Sequence, residues 1–323
     1  MTDARDPRLA AAMRERVRGR VVEAEPLARL CSYRIGGPAT VFHPADPEDL
    51  SVGLGEAARL GLPVFALGLG SNVLLPDAGM SALVVRLGKG LDRWRADQEI
   101  WRLGAGMPAP MAARRTAEAG WSGLQIMVGV PGTVGGGVYM NAGCHGGQWA
   151  DVVRRVWVVD RTGTVEELSR EAIPFRYRRS GLGDRLVTEV EVALTPGDPA
   201  ELALEVRRLL TWRQERTPFN QPCCGSVFKN PEWVGDPPGP DLRTAGQLIE
   251  ATGLKGHRVG GAEVSPMHAN YFVNTGSGSA EDVRRLMAEV QGAVRQRFGI
   301  GLDPEVKVIG PAGDWLKEGA TDG

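Results

Sequence analysis

The stretch GVPGTVGGGVYMNAGCHGG, residues 129–147, contains eight glycines among 19 residues and no Lys, Arg, Asp or Glu. A second stretch, LGLGSNVLL at 67–75, is also uncharged and contains two glycines. Glycine permits backbone angles and close approaches that a side chain would prevent. Because converging backbone N–H groups can bind phosphate, the two stretches together favour a pyrophosphate cradle, assisted by Ser71 and Asn72. The alternative, that both stretches are ordinary turns of a glycine-rich protein, stays open.

Neither stretch matches a standard phosphate-binding motif. The pattern GxxxxGK[ST] is absent, and a GxGxxG pattern starting at Gly68 and Gly70 fails because position 73 is Val. We expect the 129–147 stretch to continue into the extended segment VYMNAG rather than into a helix. The sequence therefore predicts that no dinucleotide binds at a helix N-terminus here.

Composition sets the broad class of the protein. The 323 residues are long enough for about two domains, and 42% hydrophobic with 24% charged residues is typical of a soluble globular chain. A net charge of -1 argues against a nucleic-acid-binding surface. The sequence has no secretory signal and no apolar run long enough for a membrane span. The sparse cysteines indicate a reducing cytoplasm, and no Cys or His spacing predicts a metal site.

Local patterns predict alternating helices and strands. Asp46 followed by Pro47 is typical of a helix start, and 152–168 is typical of a β-hairpin. A long helix after Pro199 is expected to lead from one domain into the next. The clearest helix follows Ser279, with apolar residues at helical spacing up to Phe298.

Three polar residues lie in segments that could carry chemistry. Arg178 follows a tyrosine in FRYRRSG, Ser226 lies in CCGSVFKNP, and Glu305 lies in GLDPEVKVIG. Taken alone, each residue has a simpler explanation. Arg178 could belong to a solvated basic run, Ser226 to a turn, and Glu305 to the solvent-exposed face of a strand. Spacing along the chain cannot bring residues so far apart together.

The chain resembles the UDP-N-acetylenolpyruvoylglucosamine reductase (MurB) family over about residues 30–310. The short distance from YRRS to GSVFKNP is similar to the shorter type of this family, which lacks a substrate-gating insertion. The resemblance is carried, in unbroken order, by YRIGGPA (33–39), LGLGSNVLL (67–75), GLQIMVGVPGTVGGGVYMNAG (123–143), YRRS (177–180), GSVFKNP (225–231), AGQLIEATGLKGHRVGGAEVSPMHANYFVN (245–274) and LDPEVKVIG (302–310).

The resemblance implies an α+β protein with a two-subdomain FAD-binding fold of the vanillyl-alcohol-oxidase (PCMH) type. A C-terminal α/β domain would bind substrate. The expected divisions are a leader at 1–29, an FAD-binding domain at 30–197 with subdomains of about 30–85 and 86–197, a substrate domain at 198–312 and a tail at 313–323.

The implied reaction uses FAD and NADPH and has two halves. Hydride passes from NADPH to the flavin and then to C3 of the enolpyruvyl ether of UDP-N-acetylglucosamine, and a proton is added at C2. Arg178 matches the family's catalytic arginine and would hold the substrate carboxylate. Glu305 would assist the enol, either as a neutral donor or by orienting the arginine, and Ser226 would donate the proton.

The family motifs also assign binding residues, and no metal is implied. Substrate contacts are expected from Tyr177, Lys229, Asn230 and His268. FAD contacts are expected from Arg34, Gly68, Gly70, Ser71, Asn72, Val73, Leu74, Gly129, Val130, Pro131, Gly132, Gly135, Gly136, Asn141, Ala142 and Gly143.

Two other functions stay open at this point. One is a sugar or alcohol oxidase of the same architecture, in which Cys144 or His145 could attach the flavin covalently. The other is a non-catalytic flavin or nucleotide-sugar binding protein, which the joint presence of Arg178, Ser226 and Glu305 disfavours. The expected partner is a small-molecule substrate, with no nucleic acid and no membrane, and the expected state is a cytoplasmic monomer.

Overall fold

The computed structural model describes residues 2–233, 237–239 and 241–316, and its contacts divide the chain into two units. The first unit takes Met1–Glu25, Ala39–Leu69 and Met80–Trp212. The second takes Pro26–Pro38, Gly70–Gly79 and Arg213–Gly323. The two units therefore interleave along the sequence, whereas the domains predicted above follow one another. Those boundaries stay a prediction, and the expected tail lies outside the described residues from 317 onward.

Runs of strands separated by helices make up the described chain, as expected of an α+β protein. The helices are α1 (Pro7–Arg16), α2 (Pro47–Arg59), α3 (Ala109–Glu118), α4 (Val134–Tyr139), α5 (Pro199–Arg216), α6 (Ala245–Ala251) and α7 (Ala280–Phe298). The strands are β1 (Arg20–Pro26), β2 (Pro38–His43), β3 (Val64–Leu67), β4 (Val73–Leu74), β5 (Leu83–Arg86), β6 (Trp94–Asp97), β7 (Ile100–Gly104), β8 (Trp121–Ser122), β9 (Gly143–Cys144), β10 (Gly147–Gln148), β11 (Val153–Val159), β12 (Val165–Ser169), β13 (Leu186–Ala193), β14 (Thr195–Pro196), β15 (Cys223–Ser226), β16 (Arg258–Val259), β17 (Ala262–Val264), β18 (Tyr271–Asn274) and β19 (Lys307–Val308).

The first unit contains two main sheets, each with its own apolar core. One sheet has the order β1-β2-β5-β3, and its β5 pairs in parallel with both β2 and β3. The other, β12-β11-β13-β7-β6, is antiparallel and includes the predicted hairpin. Fully buried side chains such as Phe42 and Leu50 fill the first core, and Trp149 and Val156 belong to the second. A small hairpin, β9-β10, and a short antiparallel pair of distant segments, β8-β14, complete this unit's strands.

The second unit is built on the antiparallel sheet β15-β18-β17-β16 and on a short parallel pair, β4-β19. Helix α7 presents to the core an apolar face predicted from the sequence, and Val283, Leu286, Met287, Val290 and Val294 on it are buried. The division between the units falls inside α5, after residue 212. None of the described helices is both long enough and apolar enough to cross a membrane.

Helix α7 begins with a reciprocal cap. The Ser279 side chain accepts a hydrogen bond from the Asp282 N–H at 3.0 Å, and the Asp282 carboxylate accepts one from the Ser279 N–H at 3.0 Å. The backbone N–H groups of Ser279 and Gly261, which donate to this carboxylate, lower the pKa of Asp282. The cap therefore satisfies donors that the first helical turn leaves unpaired.

We expect Ser279→Ala to lower the free energy of unfolding by ~1 kcal/mol, since loss of an N-cap hydroxyl typically costs that much. Urea denaturation followed by circular dichroism measures the change. Ser279→Thr keeps the hydroxyl and is the matched control, so an equal loss in both variants would contradict the capping role.

One local prediction is wrong: the glycine-rich stretch does enter a helix. Residues 134–139 form α4, and the Thr133 side chain caps it by accepting from the Gly136 N–H at 3.2 Å. Glycine is a poor helix former, but a side chain at Gly135 or Gly137 would collide with Ala105 or Trp149. Tertiary packing therefore selects glycine here and overrides its low helix propensity.

Candidate active site

In the first unit, the glycine-rich stretch lies against the first part of the 67–75 stretch. A Cβ at Gly68 would lie 2.8 Å from the Thr133 hydroxyl, so the Thr133 side chain packs closely on the Gly68 backbone. The Arg86 guanidinium donates to the Gly68 carbonyl and fixes the end of β3. Gly132 has φ +145°, an angle that L side chains rarely adopt. Thr133 and Arg86 were missed by the sequence analysis, and no local pattern marks either residue.

In the second unit, the remainder of the 67–75 stretch forms a turn followed by β4. Gly70 has φ +65°, and its carbonyl accepts from the Ser32 N–H at 3.0 Å. The Asn72 side chain donates to the Glu305 carbonyl at 3.2 Å, and β4 pairs in parallel with β19. The segments around Asn72 and Glu305, which are more than 200 residues apart in the sequence, are therefore joined at this turn.

Arg178 lies in the first unit on a strained turn. Its φ is +55°, a left-handed conformation that costs a non-glycine residue free energy. Its Nη2 donates to the Gly143 carbonyl at 3.0 Å, and its guanidinium lies 4.7 Å from the centre of the half-exposed Tyr177 ring. The predicted catalytic arginine is thus bound to the predicted cofactor stretch within one unit.

Ser226 and Glu305 are brought together in the second unit. Ser226 is the last residue of β15 and pairs with Tyr271 of β18. The Glu305 N–H donates to the carbonyl of Val227, the residue after Ser226, at 2.7 Å. Both residues are half-buried. Since Asn72 bonds to the same Glu305 backbone, Asn72 and Glu305 form one hydrogen-bonded patch, and Ser226 adjoins it through its neighbour Val227.

Lys229 and Asn230 follow directly in the same segment. The Lys229 N–H donates to the Asp303 carbonyl at 2.9 Å, which keeps this residue beside the Glu305 segment. The Asn230 side chain accepts from the Ala245 N–H at 3.1 Å and so supports the start of α6. Lys229 therefore lies with the Ser226 patch, whereas the Asn230 amide oxygen is engaged by a helix.

His268 packs within the second unit against the start of β18. Its ring meets the Tyr271 ring edge-on with centroids 4.8 Å apart, and its Nδ1 accepts from the Asn270 N–H at 3.2 Å. Burial, together with the nearby charges of Arg213 and Lys255, lowers the pKa of His268. The predicted contact of His268 with the substrate stays a prediction.

Two residues of the predicted cofactor set have contrasting surroundings. Asn141 is fully buried, and its side-chain amide bonds to Gln148, Arg176 and Ala150. Arg34 is exposed, with φ +56°. The side chain of Asn141 is thus committed to the protein, so a cofactor contact at this residue would come from its backbone.

Cys144 and His145 lie at the tip of the β9-β10 hairpin. His145 has φ +54°, and its ring packs edge-on against Trp212 with centroids 4.9 Å apart. Among the described residues, no three His, Cys, Asp or Glu side chains are grouped so that they could hold a metal ion.

Within each unit, the residues of these stretches have properties that suit a bound phosphate group. The absence of acidic side chains in residues 67–75 and 129–147 removes electrostatic repulsion. Cβ atoms would obstruct the backbone at Gly68 and Gly70, where they would lie within 2.8 Å of neighbouring atoms. Bare backbone of this kind lets N–H groups approach an anion directly.

Comparisons with known proteins cover almost the whole chain. The family model described as "UDP-N-acetylenolpyruvoylglucosamine reductase, C-terminal domain" matches residues 217–309, and an "FAD binding domain" model matches residues 38–169. The chain is 43% identical over 291 residues to the UDP-N-acetylenolpyruvoylglucosamine reductase of Rubrobacter xylanophilus, covering 88% of this chain and 94% of that one. It is 41% identical over 307 residues to the corresponding reductase of Synechococcus sp. strain JA-3-3Ab, covering 93% and 95%. The crystal structure of the reductase (MurB) from Thermus caldophilus superposes with a TM-score of 0.76 at 32% identity, covering 90% of this chain and 99% of that one.

Proposed function

The chain belongs to the UDP-N-acetylenolpyruvoylglucosamine reductase family, and from this premise we propose how its own residues carry out the reaction. The predicted family, fold class and FAD cofactor are confirmed by the two domain matches and by the full-length relatives. The protein is an FAD-dependent oxidoreductase of cell wall synthesis that acts on UDP-N-acetylenolpyruvoylglucosamine. We further propose NADPH as the reductant and the cytoplasm as its location.

The assignment of roles rests on the Glu305 backbone in the second unit, which is hydrogen-bonded to Asn72 and to Val227, the residue after Ser226. FAD supplies the hydride chemistry when bound. Bare, uncharged backbone at Gly68 and Gly132 in the first unit would leave room for its diphosphate, and the same holds, considered by itself, at Gly70 in the second unit.

Arg178 binds the carboxylate of the enolpyruvyl group. Hydride addition at C3 moves electron density through C2 into this carboxylate, so the developing negative charge needs a fixed positive partner. A guanidinium has five N–H donors in a rigid fork that matches a carboxylate. The bond to the Gly143 carbonyl and the Tyr177 ring beneath the guanidinium fix its direction before substrate arrives.

Ser226 donates the proton to C2, and Glu305 assists the enol. The two backbones are held side by side through Val227, so both groups are presented from one rigid edge of the sheet. Lys229, in the same segment, lies where it can neutralise the substrate diphosphate. Hydride at C3 and the proton at C2 together convert the double bond into the saturated lactyl ether of UDP-N-acetylmuramate.

An anaerobic absorbance titration of the purified protein tests this function. We expect flavin bands at the start, their bleaching by one equivalent of NADPH, and their return on addition of one equivalent of the enolpyruvyl substrate. The return reports hydride leaving the flavin for this substrate, which a binding protein could not accomplish.

Three outcomes would contradict the proposal. A protein without flavin bands would exclude the reaction. NADPH consumption that follows oxygen and ignores the enolpyruvyl substrate would favour the oxidase. Flavin that stays with acid-precipitated protein would indicate covalent attachment, for which Cys144 and His145 are the candidates.

A further inference from the structure

A closed ring of contacts in the first unit connects Arg178 to Asn141. The Asn141 Nδ2 donates to the Arg176 carbonyl and to the Gln148 Oε1, both at 2.9 Å. Gln148 of β10 pairs directly with Gly143 of β9. The Gly143 carbonyl accepts from Arg178 at 3.0 Å. One amide group therefore holds both the turn that carries the arginine and the hairpin that receives its guanidinium.

The backbone of this ring is strained at three points. Asn141, His145 and Arg178 have φ of +44°, +54° and +55°. Non-glycine residues with positive φ are uncommon, and such strain persists only where surrounding contacts enforce it. Here the enforcing contacts converge on Asn141, which is fully buried and also accepts from the Ala150 N–H at 3.0 Å.

We propose that Asn141 is a positioning residue for Arg178 in the reaction on the enolpyruvyl substrate. Its amide sets the separation between the 176–180 turn and the Gly143 carbonyl, and so sets the direction of the guanidinium. This inference rests on the proposed role of Arg178, and it replaces a side-chain contact between Asn141 and the cofactor. A positioning role predicts that Asn141 matters to turnover only through the arginine.

A double-mutant cycle separates positioning from a general structural role. Asn141→Ala, Arg178→Ala and the double variant are compared with the wild type for kcat and KM with NADPH and the enolpyruvyl substrate. We expect Asn141→Ala to lower kcat by ~10- to 100-fold, the effect of misplacing a reacting group by about 1 Å. Rates are referred to flavin-loaded protein, and the rate of flavin reduction by NADPH stays at the wild-type level, because Arg178 is assigned to the enolpyruvyl substrate. The double variant is no slower than Arg178→Ala, because residues that act as one unit are not additive.

Thr188→Val is the matched control for loss of a buried hydrogen bond in the same unit. Thr188 is 4% exposed, and its hydroxyl donates to the Trp157 carbonyl at 3.1 Å, on the sheet rather than on the ring. We expect this variant to lose stability in urea and to keep the wild-type kcat. A fall in kcat equal to that of Asn141→Ala would show that any buried-bond loss has this effect and would overturn the proposal.

The measurements distinguish a failure of the proposed role of Arg178 from a failure of the positioning role of Asn141. Arg178→Ala with wild-type turnover would remove the arginine from the proposed function and the positioning role with it. If Arg178→Ala is inactive while Asn141→Ala keeps the wild-type kcat, only the positioning role of Asn141 is overturned. The same holds if the losses in kcat multiply in the double variant. If Asn141→Ala fails to fold, Gln148→Met is used instead, because it removes one acceptor of the Asn141 amide at a half-buried position. Its double-mutant cycle with Arg178→Ala is judged by the same criteria.

Discussion

Ser226→Ala is expected to reduce its flavin with NADPH at the wild-type rate and to transfer hydride to the enolpyruvyl substrate ~10²- to 10⁴-fold more slowly. That range is the usual contribution of a positioned proton donor. The reason is specific to the second half-reaction, because flavin reduction requires no proton at C2 of the substrate. Stopped-flow absorbance, with each half-reaction started separately, measures both rates.

The fold gives no reason for this substitution to disturb the site in another way. The backbone at Ser226 is held by its pairing with Tyr271, and the next residue, Val227, donates its N–H to the Asn270 carbonyl at 2.8 Å. Removing a hydroxyl leaves these bonds intact. Ser277→Ala, on an exposed loop of the same unit, is the control and should match the wild type in both halves. Equal slowing of both half-reactions in Ser226→Ala would assign the serine to binding rather than to proton transfer.

The elements that depend on local signals could be predicted from the sequence. Helix α7 shows a capping serine, an apolar stripe and a glycine after its end, and each of these acts within a few residues. The hairpin β11-β12 shows strand-like runs around a turn at Gly163, which has φ +90°. Such elements are encoded by neighbours in the chain, so one sequence is enough to find them.

The elements that depend on distant contacts could not be predicted in this way. Helix α4 was missed because its glycines are selected by Ala105 and Trp149, which lie in other parts of the chain. The hydrogen bonds of the Glu305 backbone join it to Asn72 and to Val227, which lie far from it in the sequence. Only the family resemblance placed Ser226 and Glu305 in one reaction, together with Arg178. Neither the sequence pattern nor the family resemblance could predict the side-chain hydrogen bonds of Asn141, because neither spacing nor a motif states which partner a buried amide takes.

Gly70→Ala is expected to yield protein with at least ~10-fold less bound flavin. Two features of the turn that carries Ser71 and Asn72 disfavour a side chain at position 70. A residue other than glycine at φ +65° costs ~1–3 kcal/mol. In addition, the new Cβ would lie 2.6 Å from both the Cys31 Cα and the Leu30 carbonyl oxygen, which are backbone atoms that cannot rotate away. The turn must therefore move, and the Asn72 bond to the Glu305 carbonyl moves with it. The ratio of flavin absorbance to protein absorbance after purification measures the loss.

Gly253→Ala is the control that separates the two causes. Gly253 has φ +80° in the same unit, but a Cβ there would meet no heavy atom of the described residues within 4 Å. We expect it to lose ~1–3 kcal/mol of unfolding free energy in urea from backbone strain alone and to keep its flavin. If the control loses flavin as Gly70→Ala does, general destabilisation explains the loss. If Gly70→Ala keeps its flavin, the 67–75 stretch is an ordinary turn and the cradle must be assigned to residues 129–143 alone.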